Sequence, residues 1–252
     1  MITLKNSKEI ASMQKSGEIT AAAMMAAKAV IHPGVTTRYI DQAVHAAILS
    51  HGAKPSFLGY AGFPGSACVS VNDEVIHGIP GDRVVHEGDL VKVDVGAFFE
   101  GFHGDCAATF AVGEISEEAR RLMDVTRQSF YEGIKFARVG YRVSDISHAV
   151  QEYAERFGYG VVRQYVGHGV GRKLHEDPEV PNFGKPGHGP RLLPGMTIAI
   201  EPMINAGSFD VRVMPDNWTV KTVDHSLSAH YEHSVLITTG DPVLLTKWDE
   251  GI

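Results

Sequence analysis

The sequence predicts an α+β fold in which a mainly antiparallel sheet is covered by two pairs of helices, built as two similar halves. Three observations predict it. Segments with helical periodicity come in two pairs, one pair opening each half of the 252 residues. The β-branched and aromatic runs are short and bounded by Gly, Pro or Asn, as hairpin-forming strands are. Finally, two separated segments recur at nearly one spacing. GVTTRYIDQAV (34–44) resembles GYRVSDISHAV (140–150), and EGDLVKVD (87–94) resembles PGMTIAIE (194–201), offsets of about 106 and about 107 residues.

Each element follows from its residues. Ser7 can cap a first helix whose apolar positions Ile10, Met13, Met24 and Ala27 are spaced near multiples of the helical period, and Pro33-Gly34 stops it. A second helix carries Ile40, Val44, Ala47 and Ile48 on one face. Ser116 with Glu117 and Glu118 opens a third, carrying Leu122, Thr126, Phe130 and Ile134, with Gly140 as its stop. Ser144 caps a fourth, carrying Ile146, Val150, Tyr153 and Phe157. Strands are expected at ACVSV (67–71), LVKVDVGAFF (90–99), DCAATFAV (105–112), MTIAIEPMI (196–204) and HSVLIT (233–238). No Pro-, Gly- or Ser-rich linker separates the halves. Residues 1–252 therefore read as one domain with an internal pseudo-repeat of about 7–112 and 115–240.

Composition narrows the function classes. A net charge of -7 argues against a nucleic-acid surface, which carries a basic footprint. Cys68 and Cys106 make no disulfide framework and no CxxC, which fits a reducing compartment. The N-terminal MITLKNSKEIASMQ has no apolar core of signal-peptide length, and the apolar run 21–31 is too short to span a bilayer. The acceptor triplet Asn217-Trp218-Thr219 then reads as coincidence. A cytoplasmic protein without membrane contact is expected.

The chemistry concentrates in acids on apolar strands. Asp94 and Asp105 flank the turn-forming FFEGFHG, so a hairpin would set them on neighbouring strands, facing each other. Two carboxylates that close repel unless a cation lies between them. Glu201 ends an apolar run before Pro202, and Glu232 leads into another, in YEHSVLI. Alone, each is more often half of a structural ion pair, and a buried one needs a partner. His168 lies in GHGVG, whose glycines leave the imidazole unshielded and let the backbone approach a ligand. GHGVG lacks the dinucleotide order, GKPGHG (184–189) lacks the GK[ST] of a phosphate loop, and HEDP is no zincin motif. If the halves are duplicates, Asp94 and Glu201 end equivalent strands and point into one cleft. Four carboxylates and one imidazole make a hard, oxygen-rich site suited to Mn, Fe(II), Co or Zn. Two dications would balance four negative charges and activate a shared water.

With these residues the chain resembles the methionine aminopeptidases, the smallest creatinase-like "pita-bread" metallopeptidases. The motifs are VNDEVIHGIP (71–80), VDVGAFFEGFHGDCAATF (93–110), GHGVGRKLHEDPEVPNFG (167–184), MTIAIEPMI (196–204) and NWTVKTVDHSLSAHYEH (217–233). The resemblance implies a single catalytic domain that removes the initiator methionine from nascent proteins and peptides, preferring a small second residue. Attack would come from a water or hydroxide bridging two divalent ions (Co, Mn, Fe(II) or Zn), with a peripheral monovalent cation as an optional addition. It implies Asp94 as chelator of the first ion, Asp105 and Glu232 as bridging ligands, and His168 and Glu201 as ligands of the second. Glu201 would also serve as general base. His77 would contact the scissile peptide, and His175 would hold the carbonyl and its developing oxyanion.

The methionine pocket would be Phe57, Tyr60, Phe63, Cys68, Leu174 and Trp218. Here the chain departs from the bacterial pattern: Phe57 stands where a small residue is common, Leu174 where Phe is common, Phe63 for Tyr and Ala61 for His. A small-to-large change paired with a large-to-small one conserves volume. The pattern resembles bacterial type 1 enzymes: no N-terminal extension precedes the motifs, and only 31 positions separate Glu201 from Glu232, too few for the helical insertion of type 2. The resemblance also implies a monomer, transient ribosome contact, and retention of Met1 ahead of the bulky Ile2.

Overall fold

A computed structural model describes residues 1–250. Its helices are α1 (Ser7–Val30), α2 (Thr37–Ser50), α3 (Glu117–Ile134) and α4 (Val143–Glu155). The strands of the first half are β1 (Lys54–Pro55), β2 (Ala67–Val71), β3 (Glu74–Ile76), β4 (Leu90–Phe99) and β5 (Phe102–Ala111). Those of the second are β6 (Gly160–Val161), β7 (Gly167–Gly169), β8 (Glu176–Val180), β9 (Thr197–Ile200), β10 (Met203–Asn205), β11 (Val211–Val213), β12 (Val220–Thr222), β13 (Ser228–His230), β14 (Glu232–Leu236) and β15 (Val243–Leu244).

The expected α+β arrangement is observed. A nine-stranded antiparallel sheet runs β1-β4-β5-β14-β9-β7-β8, with β2 on β4 and β15 on β14. Two three-stranded sheets, β13-β10-β6 and β11-β12-β3, complete the strand set among the described residues. Strand alternation sorts the side chains. From β4 and β5, Val91, Val93, Val95, Cys106 and Ala108 point toward α1 and α2 and join Met24, Ile40, Val44 and Ile48 in one core cluster. From β9 and β14, Ile198, Ile200 and Val235 do the same toward α3 and α4, meeting Phe130 and Ile146. Both helix pairs thus pack on one face of the sheet. The intervening residues, Asp94, Asp105, Glu201 and Glu232 among them, are left to the other face.

Several local expectations are corrected. Asn6, not Ser7, caps α1: its side chain accepts from the Lys8 and Glu9 amides, and Glu9 accepts from the Asn6 amide, a full capping box. Ser144 does not cap α4, which starts one residue earlier at Val143. There the Arg142 amide donates to Asp145 while Ser144 Oγ accepts from the His188 amide across the loop. Helix α4 ends at Glu155, leaving Phe157 outside it, and α3 ends at Ile134, short of Gly140. The run 196–204 is two strands in two sheets, broken at Glu201-Pro202 because Pro202 cannot donate to a ladder.

Candidate metal centre and its pocket

The β4–β5 hairpin turns on Glu100 and Gly101, both left-handed (φ 49° and 87°), the geometry of a two-residue turn matched to strand twist. This turn sets Asp94 opposite Ala107 and Asp105 opposite Gly96. The two aspartates are therefore diagonal neighbours on one face, not directly opposed as expected, because the turn is centred about one residue later than a midpoint between them requires. One row then crosses four strands in register: Cys68 beside Asp94, Asp94 beside Ala107, Ala107 beside Glu232. Beyond Glu232, His233 pairs with Ile200, which brings Glu201 to the end of the same row.

Hydroxyl and amide clamps hold this row. Ser234 Oγ accepts from the Asp105 amide at 3.0 Å and donates to the Asp105 carbonyl at 2.9 Å. Asn182 Nδ2 donates to the Glu201 carbonyl at 3.0 Å. The glycines around His168 serve a purpose different from ligand approach. A Cβ on Gly167 would stand 2.3 Å from the Ala199 carbonyl oxygen, and one on Gly169 2.2 Å from that of Asp177. They let β7 lie tight between its neighbours. His168 Nδ1 donates to the Gly169 carbonyl at 2.8 Å, so the lone pair belongs to Nε2. That nitrogen lies 3.7 Å from Asp105 Oδ2 and 3.5 Å from Glu201 Oε1.

One cavity of about 170 Å³ gathers all thirteen sequence-predicted site residues. At its floor are Asp94, Asp105, His168, Glu201 and Glu232; His77 and His175 flank them; Phe57, Tyr60, Phe63, Cys68, Leu174 and Trp218 form its apolar end. Phe57, Phe63, Cys68 and Leu174 pack as one buried cluster, which puts Phe57 and Leu174 in one wall. Phe63 meets Trp218 edge-on at 5.0 Å. A Cβ on Gly96 would lie 2.8 Å from the Phe57 ring, so this glycine makes room for it. His77 is half-buried and adopts a left-handed backbone (φ 58°), a strained state of the kind that clusters at functional sites. Tyr60 Oη and His175 Nδ1 are hydrogen-bonded at 2.7 Å.

The electrostatics suit a cation. Burial pushes the Asp94 carboxyl up to about 7. Burial, then repulsion from the other acids, holds Asp105 and Glu232 well above the usual carboxylate range, and Glu201 likewise with Asp94 as its repelling neighbour. Burial keeps the imidazoles neutral: His77 and His168 are pushed down to about 4, His230 to about 3. Asp94 Oδ1, Asp105 Oδ1 and Glu232 Oε1 are buried without a hydrogen-bond partner. Unpaired buried carboxylates are too costly to stand alone, and hard oxygen donors with imidazole fit divalent ions. Asp105, His168 and Glu232 can bring ligand atoms within 4.8 Å of one another, as can Glu201, His230 and Glu232.

Sequence reasoning missed four lining or neighbouring residues. His230 lies two positions before Glu232, and strand alternation was the signal that could have found it. Tyr165, whose ring meets His77 edge-on at 5.7 Å, Val166 and Ile76 also line the cavity, and only adjacency to the GHGVG and IHGIP segments hinted at them.

Comparisons with known proteins agree with this geometry. The profile of Metallopeptidase family M24 matches residues 11–239. A methionine aminopeptidase of Clostridium acetobutylicum is 52% identical, the match covering 98% of this chain and 99% of the relative. The crystal structure of methionine aminopeptidase from Thermotoga maritima superposes with a TM-score of 0.96 at 47% identity, covering 98% of this chain and 100% of that one. The prolidase from Pyrococcus furiosus superposes at 0.80 with 26% identity, covering 97% of this chain but 65% of the prolidase. The chain carries the pita-bread fold and is a hydrolase of this kind; it belongs to metallopeptidase family M24.

Proposed function

We propose that this chain removes the initiator methionine from nascent proteins and peptides, favouring a small second residue. The observation that carries the reading is one cavity of about 170 Å³ that joins a cluster of acids and imidazoles to an apolar wall of Phe57, Phe63, Leu174 and Trp218. Phe57, Phe63, Leu174 and Trp218 suit methionine, whose flexible thioether packs well against aromatic rings.

Two divalent ions, of Co, Mn, Fe(II) or Zn, would be held by Asp94, Asp105, His168, Glu201 and Glu232. Bound there, they supply Lewis acidity and lower the pKa of an attacking water. Asp105 and Glu232 would be shared between the ions. Glu201 would take the attacking water's proton and return it to the leaving amine. A carboxyl with a raised proton affinity suits that task. His77 and His175, neutral at pH 7, would donate N–H groups to the scissile peptide and to the carbonyl oxygen as charge develops there. The reading extends to a cytoplasmic monomer, organised as one catalytic domain, that meets nascent chains near the ribosome. Both cysteines are free, and among the described residues no helix is long and apolar enough to cross a membrane.

The test is a peptide panel with Mn(II) or Co(II) present. Met-Ala-Ser should lose its methionine rapidly, Met-Lys slowly, and Ala-Pro not at all. Preferential cleavage of the X-Pro bond would replace this reading with that of an X-Pro exopeptidase. Absence of any cleavage would favour a non-catalytic binding role.

A further inference from the structure

His230 ends β13, two residues before Glu232, and is 1% exposed. Tyr231 breaks the strand between them, so His230 pairs with Met203 in a small sheet while Glu232 pairs with Ala107 in the large one. Both still reach the same cleft. Thr109 Oγ1 fixes the backbone at this point, accepting from the His230 amide and donating to the His230 carbonyl, each at 2.9 Å. The same hydroxyl clamp holds Asp105 through Ser234.

The ring so positioned has nothing to bind. Nε2 stands 3.8 Å from Glu201 Oε2 and 3.9 Å from Glu232 Oε2, beyond hydrogen-bond range. Neither Nδ1 nor Nε2 has a partner. Leaving a buried imidazole unmet is costly, and native structures rarely do it without cause. The spacing has a simple cause. Donors that share one ion at bonds of about 2.0–2.2 Å stand about 3–4 Å apart. His230 stands at that spacing from Glu201 and Glu232, and the ligand atoms of these three lie within 4.8 Å of one another, as do those of His168, Asp105 and Glu232. The two sets share Glu232. Glu201 reaches both imidazoles, Oε1 toward His168 at 3.5 Å and Oε2 toward His230 at 3.8 Å.

We infer that His230 is a direct ligand of the metal centre, acting with Glu201 and Glu232 so that the centre takes two imidazoles, those of His168 and His230. This rests on reading the site as a divalent-metal centre. Its alternative is a positioning role, with His230 donating to Glu201 without touching an ion.

Proton NMR of the full chain loaded with Co(II) separates these roles. An imidazole bound to Co(II) shows an exchangeable N–H signal shifted far outside the normal range, present in H2O and absent in D2O. The wild-type protein should show two. His168→Gln should remove one and His230→Gln the other, and Co(II) binding by the His230→Gln protein should weaken roughly 10- to 100-fold or more. The wild-type count needs no variant to fold. A single wild-type signal that His168→Gln abolishes, or a pattern and affinity that His230→Gln leaves intact, would overturn the inference. Protein that takes up no Co(II) at all would overturn the metal-centre reading and this inference with it.

Discussion

Asp94 is set among Val91, Val93 and Val95, and alternation alone sends those valines to the core and the aspartate to the cleft. The same logic made Asp105, Glu201 and Glu232 legible, because an acid on an otherwise apolar strand has to answer for its charge. His168 was legible through its glycines, although those glycines act by letting backbones touch. His230 was not, because a histidine two residues before a glutamate reads as an ordinary core residue until the fold shows both its nitrogens unmet. At this scale, His168→Ala should lower kcat/KM roughly 100-fold or more and reduce metal uptake while far-UV circular dichroism stays native. Unchanged activity at saturating metal would remove His168 from the ligand set. His77→Ala should lower kcat about 100- to 1,000-fold with metal content kept. Loss of metal in that variant would assign His77 a different task. In the pocket, Phe57→Cys and Leu174→Phe should each raise KM for Met-Ala-Ser. The double substitution should recover most of the loss, since both side chains fill one cluster. Additive losses would show that the two positions do not compensate.

Helices, their pairing and four of the five longer strand runs were legible in the sequence; the fifth, 196–204, divides into β9 and β10 at Pro202, and the ends of elements were not legible. The cap of α1 moved to Asn6 because only there do two side chains satisfy amides reciprocally. The aspartates fell out of direct opposition because the two-residue turn at Glu100 and Gly101 dictates register. Short strands such as β8 and β11 carry too few apolar residues to announce themselves. Close backbone contact between strands is the element-level feature that holds the centre together. Gly169→Ala would place a methyl group 2.2 Å from the Asp177 carbonyl oxygen and push β7 off its neighbour. The variant should lose about 1–3 kcal/mol of stability in urea titration and bind metal more weakly. A melting curve matching the wild type would mean that β7 is less tightly held than this contact requires.

For the molecule as a whole, one sheet carries two helix pairs on one face and the charged cleft on the other. The repeat spacing in the sequence anticipated that β4 and β9 would stand in one sheet. It could not anticipate that β14 joins β5 between them, since that pairing depends on residues far apart in the chain. The cleft's charge governs the pH response of the metal-free protein. Its acids have folded-state pKa values raised above their unfolded ones by burial: Asp94 to about 7, and Asp105, Glu201 and Glu232 well above the usual carboxylate range. The folded state then holds more protons, and stability falls as pH rises above about 4. The depressed histidines act oppositely: their contribution is complete above about 6.5 and is lost as pH falls toward about 4. Above about 6.5 the four acids pull stability down while Lys92, pushed down to about 7 by burial, works against them as pH rises; with four acids against one ammonium, the metal-free melting temperature should still fall between pH 6.5 and 8. Saturating divalent metal should flatten that fall. A metal-free protein equally stable at both pH values would mean that the acids are already relieved by some other partner.

The charge argument is tested most directly by titrating metal-free protein with Mn(II) or Co(II) at pH 7.5, following both bound metal and melting temperature. The account predicts a rise in melting temperature that saturates at two ions per chain. A melting temperature indifferent to added divalent ion, or binding that saturates below two, would contradict it.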